Sequence, residues 1–130
     1  MPDLVPDKIL LPQVAVVDDE PSVLQALRRL LRSAGFQVAI YASADEFLRS
    51  PTPEKHACVV LDVQMPGLNG LDLQKVIVSM KAPIPIIFIT AHHEEDVRAR
   101  AMAMGAVGFL EKPFDDQVLI DLIEKIVRPP

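Results

Sequence analysis

The sequence holds no tryptophan, one tyrosine and one cysteine in 130 residues. A single cysteine excludes an internal disulfide framework, and the place of Cys58 at the start of an apolar run marks it as a small core residue in a reducing compartment. No apolar stretch approaches the roughly 20 residues that a helix needs to cross a bilayer, so no membrane span is expected. Met1 to Lys8 carry prolines and aspartates where a secretory leader would have a basic start and a continuous apolar stretch, and a cytoplasmic location is the resulting expectation. Positive charge is also scarce. Lys and Arg number 13 against 18 Asp and Glu, a net charge of −5, which argues against direct nucleic acid binding by this segment and against capture by an anionic membrane. What is present, 50% apolar and 24% charged residues, suits one globular domain able to bury roughly two thirds of its unfolded surface.

Taken in order, residues 1–12 form a proline-interrupted lead in which Ile9, Leu10 and Leu11 are expected to pack on an edge. The β-branched run Val14-Ala15-Val16-Val17 stops at Asp18-Asp19-Glu20-Pro21, where adjacent acids and proline end a strand. Pro21 suits the first turn of a helix, and Val23, Leu24, Leu27, Leu30 and Leu31 recur at helical spacing to about Ser33, before Gly35. Phe36, Val38 and Ile40 alternate with Gln37 and Ala39, the period of a half-buried edge strand. Ser43-Ala44-Asp45-Glu46 has the spacing of a capping box, and Phe47 and Leu48 give the short helix after it an apolar face. A polar link, 51–56, then leads to Val59-Val60-Leu61-Asp62, which reads as a buried strand because Pro66, Gly67, Asn69 and Gly70 force a loop just beyond it. Leu71, Leu73, Val76, Ile77 and Met80 predict a third helix ended by Pro83 and Pro85.

Ile86-Ile87-Phe88-Ile89 is apolar on both faces, as a central parallel strand covered on either side would be, and it ends at Thr90. Glu94, Glu95 and Asp96 favour the positive end of a fourth helix, which Gly105 closes. Val107-Gly108-Phe109-Leu110 reads as a fifth strand running into Glu111, Lys112 and Pro113. Asp115 can cap a last helix with Val118, Leu119, Leu122, Ile123, Ile126 and Val127 on one side, stopped by Arg128-Pro129-Pro130. Strands that alternate with helices in this way select an α/β sheet with right-handed crossovers and like strand ends along one edge.

Taken alone, Asp62 reads equally well as a turn aspartate or as a group placed for chemistry. The other strand ends decide. Asp18 and Asp19, Asp62, Thr90 and Lys112 all stand where an apolar run stops, and each can handle phosphate or metal. In a doubly wound sheet of order 2-1-3-4-5, those four strands are consecutive neighbours and the second strand, which lacks such a residue, lies outside the group.

The pieces Val16 to Glu20, Leu61 to Gly70, Ile89-Thr90-Ala91 and Gly105 to Phe114 together resemble the receiver domains of two-component response regulators. The last piece looks most like FixJ-like receivers, which precede a helix-turn-helix output domain. The resemblance implies a flavodoxin-like (βα)5 fold, α/β with a doubly wound parallel sheet, over 13–128, with 129–130 opening a linker. It also implies a phosphoacceptor switch rather than an enzyme, in which Asp62 accepts a phosphoryl group from a sensor histidine kinase. Mg²⁺ or Mn²⁺ would be held by Asp18, Asp19, Asp62 and the backbone carbonyl of Gln64. A cation is needed because unit charges 4 Å apart repel by about 4 kcal/mol at an effective dielectric near 20.

By the same resemblance Lys112 and Thr90 would bind phosphate, small Ala91 would leave them room, and the peptide bond before Pro113 would be cis. Phe109 would turn inward and change the surface of helix 4, strand 5 and helix 5, through which a phosphorylation-dependent homodimer is expected. Gln64 and His92, two residues beyond Asp62 and Thr90, are candidates to set the phosphate's lifetime. His92-His93-Glu94-Glu95 invites a transition-metal reading, but adjacent helical residues point about 100° apart and no second cluster completes a site. Three rivals stand beside the switch. A dehalogenase-like phosphatase would carry an acid at Gln64, and a flavin binder would place Ser, Thr and Gly in its first loop. The third is a receiver-shaped interaction module that is never phosphorylated.

Overall fold

Beyond Asp18, Asp62 and Thr90 the backbone leaves the sheet at one common edge, and the architecture follows from why it stays in the sheet until then. The computed structural model describes residues 13–127. In chain order the elements are β1 (Gln13–Val17), α1 (Pro21–Ser33), β2 (Gln37–Tyr41), α2 (Ala44–Leu48), a 3₁₀ turn (Pro53–Lys55), β3 (Cys58–Asp62), α3 (Gly70–Val78), β4 (Ile86–Thr90), α4 (Glu95–Ala103), β5 (Gly108–Glu111) and α5 (Asp116–Val127). The five strands are parallel in the order β2-β1-β3-β4-β5. The expected packing of Ile9, Leu10 and Leu11 and the stop at 128–130 lie outside the described residues.

β3 and β4 are buried along their whole length because both faces are covered, and alternate residues serve alternate layers. Val17, Val59, Leu61 and Phe88 meet Phe47, Leu73, Ile77 and Ala101 from α2, α3 and α4. Val16, Val60, Ile87 and Ile89 meet Leu24, Leu27, Leu31, Leu119 and Ile123 from α1 and α5. β2 is the edge strand that its composition predicts, yet all of its residues are partly exposed instead of alternating. It lies at the rim of both layers, with Val38 and Ile40 against one and Tyr41 against the other, so neither face is fully covered.

Two helices turn their faces away from the expected stripe. Val76 and Val118, which belong to the apolar spacing that predicts these helices, are 37% and 44% exposed. On α3 the buried stripe is Gly70, Leu73, Gln74 and Ile77, at i, i+3, i+4 and i+7, which sends Val76 outward and takes a polar Gln inward. α3 also ends at Val78, ahead of Pro83, and Met80 lies beyond it. At α2, Ser43 accepts from the Glu46 amide at 3.0 Å, while the Glu46 carboxylate binds the Ala42 amide in place of Ser43's own. At α3 a reciprocal capping box joins Asn69 and Asp72. A Cβ at Gly70 would collide with the backbone carbonyl of Asp62, so only glycine lets α3 start this close to the end of β3.

Candidate functional site

At the carboxyl edge of the sheet, β1 and β3 are in register through Val17 and Leu61, which brings the acids that follow them side by side. Asp18 is held by its own amide, which donates to the Tyr41 carbonyl at 3.1 Å, and one of its carboxylate oxygens accepts from the Glu20 amide at 2.9 Å. Asp18, Asp19 and Asp62 each offer a carboxylate oxygen, and these atoms lie within 4.8 Å of one another. Asp18 and Asp62 are buried, and Asp19 faces solvent.

β5 delivers the counter-charge. The Lys112 amide donates to the Thr90 carbonyl at 2.7 Å, which carries the lysine from the end of β5 back over the end of β4. Its Nζ donates to Asp18 Oδ2 at 2.9 Å, lies 3.9 Å from Asp62 Oδ1 and 3.8 Å from Glu20 Oε1. The nearest partner of the amine is therefore Asp18 rather than Asp62. The Lys112–Pro113 peptide bond is cis.

The charges do not balance. Burial pushes the Asp62 carboxyl up to about 7, and the Asp18 charge adds to that, against the pull of Lys112; Asp19 raises it further and a backbone hydrogen bond from Gln64 lowers it. Burial works against the Lys112 ammonium, but its hydrogen bond to Asp18 and the charges of Asp62, Asp18 and Glu20 outweigh it and hold the amine above its ordinary value. One partly buried ammonium faces several carboxylates, and an oxygen-ligated divalent cation is the group such a donor set fits.

A cleft of about 380 Å³ opens over these groups, lined by Asp19, Glu20, Asp62, Gln64, Ala91, His92 and Lys112. A larger groove of about 500 Å³ between the loop after β3 and α4 is lined mainly by Met65, Pro66, Leu71 and Val97 and gathers no such cluster. Among the sequence candidates, Thr90 stands apart. Its hydroxyl donates to the His92 carbonyl at 3.0 Å and accepts from the His92 amide at 3.1 Å, so it is bound to its own loop. Phe109 lies away from the cleft, half-buried against Phe88 at a centroid distance of 5.9 Å. Glu20 belongs to the site and was not singled out from the sequence, although it directly follows Asp19.

Fold and site together define a class: a doubly wound α/β domain with an acidic cup, a lysine and a strand-end hydroxyl at one edge. The chain belongs to the response regulator receiver domain family, whose model matches residues 14–124, and the family's function is to accept a phosphoryl group in two-component signalling. That family is a phosphoacceptor switch and not a classical enzyme. Nodulation protein W of Bradyrhizobium diazoefficiens is 47% identical over 110 residues, 85% of this chain and 48% of that protein. Transcriptional regulatory protein FixJ of the same organism is 41% identical over 115 residues, 88% of this chain and 56% of that protein. The solved structure of response regulator StyR superposes with a TM-score of 0.83 at 48% identity, covering 91% of this chain and 60% of that one. The chain thus spans about half the length of the curated relatives it matches. Among the described residues no helix is long and apolar enough to cross a membrane.

Proposed function

We propose that Asp62 is the phosphoacceptor and that Asp18, Asp19, Asp62 and the backbone carbonyl of Gln64 hold Mg²⁺, with Mn²⁺ as a substitute. The observation that carries this reading is the convergence of the three carboxylates within 4.8 Å, with the Lys112 amine 2.9 Å from Asp18 and 3.9 Å from Asp62. Asp19 and Asp62 would hold the ion directly, and Asp18 would hold it through a water. When bound, the cation neutralises the carboxylates and the phosphoryl oxygens that approach them.

The chain's own residues do the rest. An oxygen of the Asp62 carboxylate attacks phosphorus, the P–N bond to the donor imidazole breaks, and the imidazole leaves with its electron pair. Lys112 sits close enough to both buried acids to follow the charge from carboxylate to phosphoryl oxygen. Ala91 lines the cleft and leaves the approach open, and Thr90 donates to a phosphoryl oxygen after giving up its bond to the His92 carbonyl. Phe109 follows into the released space. Gln64 and His92 line the cleft and tune how fast water removes the phosphoryl group. The donor is a sensor histidine kinase, and the domain covers 13–128. The switched surface of α4, β5 and α5 supports a homodimer and the control of a helix-turn-helix output domain outside this segment, in the cytoplasm.

Incubation with acetyl phosphate and Mg²⁺ tests the reading by intact mass. One phosphoryl group is expected on the wild-type protein, none in excess EDTA and none on Asp62→Asn. An unlabelled wild-type protein would point to the interaction module that is never phosphorylated, and a labelled Asp62→Asn protein would remove Asp62 from the role.

A further inference from the structure

We infer that His93 is a positioning residue for the switch: its ring braces Phe109 in the present state, and its removal favours the rearranged state. The inference rests on the phosphoacceptor reading above. The loop 91–94 touches both parts that must move. Its first half holds the Thr90 hydroxyl through the carbonyl and the amide of His92, at 3.0 and 3.1 Å. Its second half presents His93, whose ring meets Phe109 edge-on, with centroids 6.3 Å apart and planes at 82°.

Phe109 is thus set between two rings of different standing. On the core side is Phe88, fully buried in β4, at 5.9 Å and 42°. On the outer side is His93, 40% exposed. His93 Nε2 lies 3.3 Å from Glu95 Oε1 in the first turn of α4, and the same oxygen accepts from Arg98 Nε at 3.3 Å. The ring thus lies between the Glu95 side chain of α4 and Phe109.

The two halves of the loop are one stretch of backbone. For Thr90 to donate to a phosphoryl oxygen, its hydroxyl must give up its bond to the His92 carbonyl, and as the loop shifts the adjoining His93 leaves its seat on Phe109. A contact made in only one of two states biases their equilibrium by its own free energy and no more. An edge-to-face ring pair contributes about 0.5–1.5 kcal/mol, which is about two- to tenfold in the equilibrium. Because His93 is partly exposed and outside the acidic cup, its removal leaves the metal and phosphoryl groups untouched.

The test is a titration with beryllofluoride in Mg²⁺, a mimic of the phosphoryl group, followed by amide and Phe ring resonances in the wild-type, His93→Ala and His93→Phe proteins. His93→Ala is expected to respond at about two- to tenfold lower beryllofluoride, with Phe109 already displaced toward its bound position in the free protein. His93→Phe keeps a ring on Phe109 and is expected to restore the wild-type midpoint, which a loss of general folding would not do. A wild-type protein that responds while His93→Ala shows the same or a higher midpoint overturns the brace alone. A wild-type protein that ignores beryllofluoride overturns the phosphoacceptor reading and the brace with it.

Discussion

Replacing Asp62 by Asn should make the metal-free protein more stable at alkaline pH, although the substitution removes the proposed functional group. The carboxyl rises from 3.8 to about 7 in the folded protein, through burial first and then the Asp18 charge, so the folded state binds this proton more tightly than the unfolded chain. Where the folded state holds more protons, stability falls as pH rises, here across the window from about 4 to about 7. Above that window the penalty of the ionised carboxylate is present in full, and below it the penalty is gone. At about 1.36 kcal/mol per pH unit the span corresponds to at most about 4 kcal/mol, and screening and local relaxation reduce it to roughly 2 kcal/mol. An amide of nearly the same shape removes the charge, while Lys112 keeps its closest partner, Asp18, at 2.9 Å. Urea unfolding in EDTA is the assay. Asp62→Asn should exceed wild type by roughly 2 kcal/mol at pH 8, and most of the difference should vanish at pH 4.5. Equal stability at pH 8, or a variant less stable than wild type there, would refute the reasoning, because it would mean that burial and the Asp18 charge do not penalise the ionised Asp62 carboxylate.

Three further substitutions probe the frame of the site. Lys112→Met leaves the fully buried Asp18 carboxylate without its counter-ion, and the loss, read by urea unfolding at pH 7, should be about 3 kcal/mol. Gly70→Ala forces a methyl against the Asp62 carbonyl and should cost about 1–3 kcal/mol, seen as a lowered Tm, while weakening Mg²⁺ binding because α3 can no longer start where it does. Tyr41→Phe takes away the hydroxyl that lies 2.9 Å from His56 Nε2, whose other ring nitrogen faces the Pro53 carbonyl at 2.8 Å, and should cost about 1 kcal/mol without changing phosphorylation.

The fold could be read from the sequence because its chemistry stops where its strands stop. Apolar runs that end at Asp18, Asp62 and Thr90 mark both the sheet and its working edge, and parallel register then brings the ends together without further information. Sequence could not reveal what depends on helix rotation or rotamer. Hydrophobicity ranks Val76 above Gln74 as core, yet Gln74 is fully buried and its amide donates to the Ala101 carbonyl at 2.9 Å, a partner 27 residues away. Within the site, the preference of Lys112 for Asp18, the approach of Glu20 and the hold of His92 on Thr90 are all side-chain choices made after the backbone is in place. The edge contact of His93 with Phe109 is of the same kind, set by how the loop after β4 lies over β5.

A phosphoryl group that settles on one carboxylate among several crowded together can be located by chemical trapping. Hydride reduction of the phosphorylated protein converts an aspartyl phosphate to homoserine, and peptide mass mapping then reads the position. Conversion is expected at residue 62 and at neither 18 nor 19. Conversion at Asp18 or Asp19, or a phosphoryl group that resists hydride and sits on a histidine or hydroxyl, would contradict it.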